Sequence, residues 1–64
     1  MPSFNMIKPA DFAVHMLIVA DQDPIAAIQE TITKTQFWGV PQAYTLATIQ
    51  LIAEQAQAKA AANG

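Results

Sequence analysis

Cysteine is absent from this chain and histidine occurs only once among its 64 residues. Disulfide bonds are therefore excluded, and a zinc site built from cysteine and histidine lacks its ligands. A domain this short buries only about 60% of the surface of its unfolded chain. With disulfides and such a zinc site excluded, the domain must be stabilised by oligomerisation or by unusually good helix packing.

Charge is also scarce, because Asp, Glu, Lys and Arg make up 12% of the residues against a typical value of about 25%. Arginine is missing, and the three lysines, Lys8, Lys34 and Lys59, are far apart in the sequence. Without a basic patch, nucleic acid is not an expected partner. A surface so poor in charge favours contact with protein, either other copies of the chain or other subunits.

Long hydrophobic runs are missing as well. The longest, from Phe12 to Ala20, contains His15 and is much shorter than the roughly 20 apolar residues that span a bilayer. The sequence therefore predicts no transmembrane segment. The first residues lack the basic stretch and apolar run of a signal peptide, which predicts a cytoplasmic or virion location.

The residues that are present predict a single all-α domain over 1–64 that packs within a larger oligomer or complex. A short arm, residues 1–8, carries Phe4, Met6 and Ile7 and could dock onto a neighbour. Proline and acidic residues at helix starts, and glycine with proline at turns, set the helix boundaries. The predicted helices cover about 9–20, 24–36 and 41–61.

The first helix begins at Pro9, with Asp11 in its first turn, where a negative charge favours the helix dipole. Apolar residues then cover nearly its whole circumference, which predicts burial on most sides. A short apolar run of this kind could also be a buried strand over 12–20. No second clear strand exists to pair with it, so the helix is preferred.

The second helix follows Asp23-Pro24, a favourable N-cap and first-position pair. Ile25, Ile28 and Ile32 form a narrow apolar stripe of helical period. Threonines are poor helix formers, so Thr31, Thr33 and Thr35 predict that the helix frays by about residue 36.

The third helix has no charged face, since Glu54 and Lys59 are its only charged residues. A helix of this kind is expected to contact neighbours on more than one side. One predicted contact seam has spacings of three and four, as in coiled coils, with Tyr44 and Leu51 pointing roughly the opposite way. The seam consists of Leu46, Ile49, Ala53, Ala56 and Ala60.

Phe37, Trp38 and Tyr44 gather around the predicted turn between the second and third helices. Such a cluster is typical of an interface anchor, and equally of an aromatic plug that holds two helices together. Both interpretations predict that this region is sensitive to mutation.

Two polar features have simple structural explanations. His15 lies four residues after Asp11, so the two could pair on a helix and form a pH switch, although a histidine satisfied within the fold is the preferred interpretation. Asp21-Gln22-Asp23 resembles part of a calcium loop but lacks its glycine and its final glutamate. Helix capping explains these residues better, so no metal or cofactor is predicted.

No paired acid and base or activated nucleophile is recognisable, so no enzymatic activity is predicted. The main hypothesis is a small structural or assembly subunit of a virion, filament or larger complex, acting through helix-mediated contacts. One alternative is a peripheral membrane adaptor whose first helix lies in the lipid interface, although it lacks a basic face. A less favoured alternative is a helix-turn-helix regulator.

Overall fold

The computed structural model describes residues 7–63, which form three α-helices joined by short turns. Helix α1 spans Pro9–Val19, α2 spans Pro24–Trp38 and α3 spans Gln42–Asn63. No strand occurs in the described part of the chain. The all-α prediction is therefore confirmed, and the segment over 12–20 that could have been a strand is almost entirely helical. Phe4 and Met6 of the predicted arm lie outside the described residues.

Local signals fix the turn between α1 and α2. Asp21 and Gln22 have positive φ angles of 57° and 67°, and the Gln22 N–H donates to the Leu17 carbonyl at 2.7 Å. The Asp23 carboxylate then accepts hydrogen bonds from the Ile25 and Ala26 N–H groups, at 3.1 and 3.4 Å. Asp23 is thus the N-cap that the sequence predicts.

The α2–α3 turn begins two residues later than predicted, because α2 continues through Trp38. Gly39 ends α2 with a φ angle of 71°, in the left-handed region, and the Gly39 N–H donates to the Thr35 carbonyl at 2.9 Å. Glycine adopts this conformation without the steric cost of a Cβ. The predicted fraying is wrong, because Thr31 and Thr35 are buried in the core. Their hydroxyls are satisfied within the helix, where they donate to carbonyls four residues earlier, at 2.8 and 2.7 Å.

The core lies where α1 packs against both α2 and α3. Six apolar residues are buried, four of them from α1, and three buried threonines join them. The apolar members are Phe12, Ala13, Met16, Leu17, Ala27 and Ile52, and the threonines are Thr31, Thr35 and Thr48.

The prediction that α1 is buried on most sides is wrong, since Val14, Ile18 and Val19 are exposed. Helices α2 and α3 both pack against its other side. In α2 the isoleucine stripe is divided, because Ile25 and Ile32 are exposed whereas Ile28 is partly buried and packs against the core. The fully buried positions of α2 carry small side chains, Ala27, Thr31 and Thr35.

Candidate functional site

Large apolar side chains are more common on the surface than in the interior of the described chain. Nine are exposed, whereas the buried set contains only four of comparable size, namely Phe12, Met16, Leu17 and Ile52. The exposed ones are Ile7, Val14, Ile18, Val19, Ile25, Ile32, Phe37, Trp38 and Leu46. Scattered exposed apolar residues are normal, so their arrangement decides whether they form a site.

Two of these residues, Ile32 and Leu46, line an open groove between α2 and α3, which we call the hairpin groove. It has a volume of about 380 Å³, and no charged side chain lines it. Its lining comes entirely from α2, the α2–α3 turn and α3, so the groove lies on the face of this helical hairpin away from α1. The lining residues are Ile32, Thr35, Gln36, Val40, Gln42, Thr45, Leu46 and Ile49.

The hairpin groove brings together parts of two stripes that the sequence suggests separately. Ile32 belongs to the isoleucine stripe of α2, whereas Leu46 and Ile49 begin the seam of α3. Leu46 is 58% exposed and Ile49 is half-buried. Tyr44 and Leu51, predicted to point the other way, pack against the core.

The rest of the α3 seam lies near the opposite end of the bundle. Ala53 and Ala56 are half-buried and Ala60 is exposed. Ala56 and Ala60 line a second depression of about 420 Å³, formed with the α1–α2 turn. Its lining is completed by Leu17, Gln22, Pro24, Gln55 and Lys59. The seam therefore does not form one continuous contact within the chain.

The aromatic residues gather around Phe12, which the sequence alone did not single out. The Phe12 ring lies 5.8 Å from the Trp38 ring and 5.9 Å from the Tyr44 ring, between centroids. Phe37 points away from this cluster and is 87% exposed. Trp38 and Tyr44 thus hold α1 against the hairpin, while Phe37 remains available for contact with another molecule.

Tyr44 also ties the start of the described chain to α3. Its hydroxyl donates a hydrogen bond to the Ile7 carbonyl at 3.0 Å. Burial raises the pKa of the Tyr44 hydroxyl above its ordinary value, and the negative charge of Asp11 raises this pKa further. The protonated, hydrogen-bonding form is therefore favoured in the fold.

The polar candidates are not brought together as a reactive site. Asp11 and His15 form no hydrogen bond or salt bridge with each other, and the His15 ring lies 6.5 Å from the Phe12 ring instead. Among residues 7–63 no three histidine or acidic side chains are placed to hold a metal ion. No helix in this range has the length and apolar character needed to cross a membrane.

Helices α2 and α3 run side by side in opposite directions. Pro24 and Ala56 line a depression at one end of the pair, and Thr35 and Leu46 line the hairpin groove toward the other. The two helices therefore form a hairpin, with the hairpin groove toward its turn and the second depression toward its other end.

No protein-family model, curated protein or solved structure matches this chain. Sequence reasoning missed five of the groove residues, because no local pattern indicates which side of a hairpin stays open. These five are Thr35, Gln36, Val40, Gln42 and Thr45. It also missed that Val14 and Ile18 leave an apolar side of α1 exposed. The apolar residues around the whole circumference of α1 were the signal for such a surface.

Proposed function

We propose that this chain is a small, non-enzymatic structural or assembly subunit that acts through helix-mediated contacts with other protein chains. The observation that carries the proposal is the surplus of large apolar side chains outside the core. Full burial of one such side chain is favourable by about 1.5–3 kcal/mol. A partner that covers several of these residues would supply stability that a 64-residue core lacks.

The hairpin groove is the surface that supports this function best. It is concave, it is lined by Ile32, Leu46 and Ile49, and it carries only amide and hydroxyl groups as polar lining. An amphipathic helix that lays its apolar side into such a groove is a common mode of recognition. Virion components, filament subunits and accessory subunits of large complexes all act through contacts of this kind.

Size analysis in the source cells tests this function. The full chain, carrying a small affinity tag, is expressed there, and the cell extract is separated by size-exclusion chromatography. We expect the parent chain to elute far above the position of a 6.9 kDa protein. Leu46→Lys should shift it toward the monomer position, because the lysine charge loses its hydration in an uncharged contact.

Thr33→Lys is the matched control, since it adds the same charge at an exposed position of α2 that does not line the groove. It should elute like the parent. Monomer elution of the parent chain in the extract would contradict the proposed function, and an unchanged Leu46→Lys profile would contradict the groove as its site.

A peripheral membrane role is the second candidate, and the exposure of Val14, Ile18 and Val19 on α1 favours it. Apolar helix faces of this kind can lie in the lipid interface. Co-sedimentation with neutral and with anionic vesicles tests it, and binding to both without oligomer formation would favour this candidate over assembly.

A further inference from the structure

We infer that the chain assembles with copies of itself in a head-to-tail manner, with the exposed side of α1 from one copy seated in the hairpin groove of the next. This inference rests on the proposed function and names the partner as a second copy of this chain. The exposed side of α1 is defined by Val14 and Ile18, which we call the α1 ridge.

The first argument is that the α2–α3 hairpin has two sides and only one is filled. On one side α1 contacts both α2 and α3 and inserts Phe12, Met16 and Leu17. The other side is the hairpin groove, where Ile32, Leu46 and Ile49 face solvent or are only half-buried. The same two helices thus offer apolar surface to a second helix.

The second argument is that α1 is apolar on two sides. Its buried side packs within the chain, whereas Val14 and Ile18, spaced one helical turn apart, are 45% and 63% exposed. Residues four apart form one ridge on a helix surface, and such ridges pack into grooves of other helices. The α2–α3 hairpin of the same chain leaves this second apolar side of α1 exposed.

Charge is compatible with contact between identical copies. The hairpin groove carries no charged side chain, so it neither repels an identical chain nor requires a partner of opposite charge. Asp11, the acidic residue one turn before His15 on α1, would meet only amides and hydroxyls there. Gln36 and Gln42 in the groove can donate hydrogen bonds to a carboxylate.

The positions of the two surfaces decide the mode of assembly. The α1 ridge and the hairpin groove are separate surfaces, because no residue of α1 lines the groove and the ridge is the side of α1 that its own hairpin leaves exposed. A symmetric dimer through either surface would leave the second one exposed. A ridge-to-groove contact leaves one free ridge and one free groove at the ends of each assembly, so it can add further copies.

The expected contact is weak because the elements that form it are short. Helix α1 has 11 residues and is about 16 Å long at 1.5 Å per residue. It would bury less than the roughly 800 Å² per partner of a standard stable interface. Association should therefore depend on concentration, and the size distribution should broaden as the concentration rises.

Sedimentation velocity of the purified full chain over a range of concentrations tests the inference. The parent should form a series of oligomers beyond the dimer. Ile18→Lys and Leu46→Lys, each alone, should raise the concentration needed for association by about tenfold or more, since each replaces an apolar side chain of the contact with a charged one. An equimolar mixture of the two variants should form dimers and stop there, because only one intact ridge and one intact groove can meet.

Thr33→Lys is again the matched control, because it adds the same charge at an exposed position of α2 outside both surfaces. It should associate like the parent. Circular dichroism must show parental helix content for every variant, and Ile18→Gln with Leu46→Gln repeat the mixing test if a lysine variant loses helix.

Three results would overturn the inference: a parent chain that stays monomeric at all concentrations, an Ile18→Lys chain that associates at the same concentrations as the parent, or a mixture that fails to recover dimers. The first of these leaves the proposed function intact if the extract still contains a large complex. In that case the groove binds a different protein.

Discussion

The buried threonines show how single residues shape this hairpin. Thr31, Thr35 and Thr48 are fully or almost fully buried, and each hydroxyl donates to a carbonyl of its own helix, at 2.7–2.9 Å. The hydroxyl group is therefore satisfied without any partner on a neighbouring helix. The neighbouring helices therefore contact the methyl group of a small side chain.

Two substitutions at Thr31 separate shape from polarity. Thr31→Val keeps the volume and removes a hydroxyl whose bond within the helix adds little stability, so we expect a change in the free energy of unfolding within about 1 kcal/mol of zero. Thr31→Ala leaves a cavity and should destabilise by roughly 1–2 kcal/mol. Urea unfolding followed by circular dichroism measures both, and a large loss for Thr31→Val would show that the hydroxyl itself matters.

At the scale of elements, α1 is the shortest helix and contributes most of the apolar core. Phe12 is 2% exposed and its ring packs near both Trp38 and Tyr44. The α2–α3 hairpin itself contributes only Ala27, Ile52 and the three threonines to the buried set. We infer that α2 and α3 depend on α1 for a stable arrangement.

This dependence predicts that Phe12 is more sensitive than Trp38, the residue that the sequence suggests as anchor. Phe12→Ala should cost about 3–5 kcal/mol, enough to unfold a domain of this size. Trp38 is 45% exposed, so Trp38→Ala should cost about half as much, roughly 1.5–2.5 kcal/mol. Thermal unfolding followed by circular dichroism measures the loss of stability in both variants. Equal losses would contradict the prediction that the core depends more on Phe12 than on Trp38.

The helix order could be predicted from the sequence because its signals are local. Asp23-Pro24 and Gly39 act within one turn of their own positions, and the structure places them at helix ends. The packing could not be predicted in the same way. Phe12 meets Trp38 and Tyr44 across three helices, and nothing in the Ile25, Ile28, Ile32 stripe reveals that the small residues beside it face the core.

The groove was predictable only in part, for the same reason. The apolar period of α3 indicates a contact surface, and Leu46 and Ile49 do line the hairpin groove. Its other wall comes from α2, and the pairing of the two walls is a result of how the hairpin closes. The C-terminal part of the seam, at Ala56 and Ala60, lines a different depression.

The stability of the whole molecule should fall at alkaline pH through Tyr44. Its pKa is raised in the fold, so its contribution is fully present below the ordinary tyrosine pKa of about 10 and is lost as the pH rises through the higher folded-state value. Tyr44→Phe lacks the hydroxyl and should lose less stability over this window than the parent does.

Denaturant unfolding at several pH values from neutral to strongly alkaline measures this difference. All other ionisable groups are common to both proteins, so the comparison isolates Tyr44. Because Tyr44 is the only tyrosine, the ultraviolet absorbance of its phenolate reports the titration directly. Identical pH profiles for the two proteins would show that the hydroxyl contributes nothing.

The connection of three helices by short turns also determines how fast the molecule can form. Neighbouring helices in the chain are neighbours in space, and no strand pairing between distant segments delays folding within residues 7–63. Helical proteins with mostly local contacts fold in microseconds to milliseconds. Each copy would therefore reach its folded shape long before it met a partner at micromolar concentration, so the growth of any assembly would be limited by encounter and not by folding.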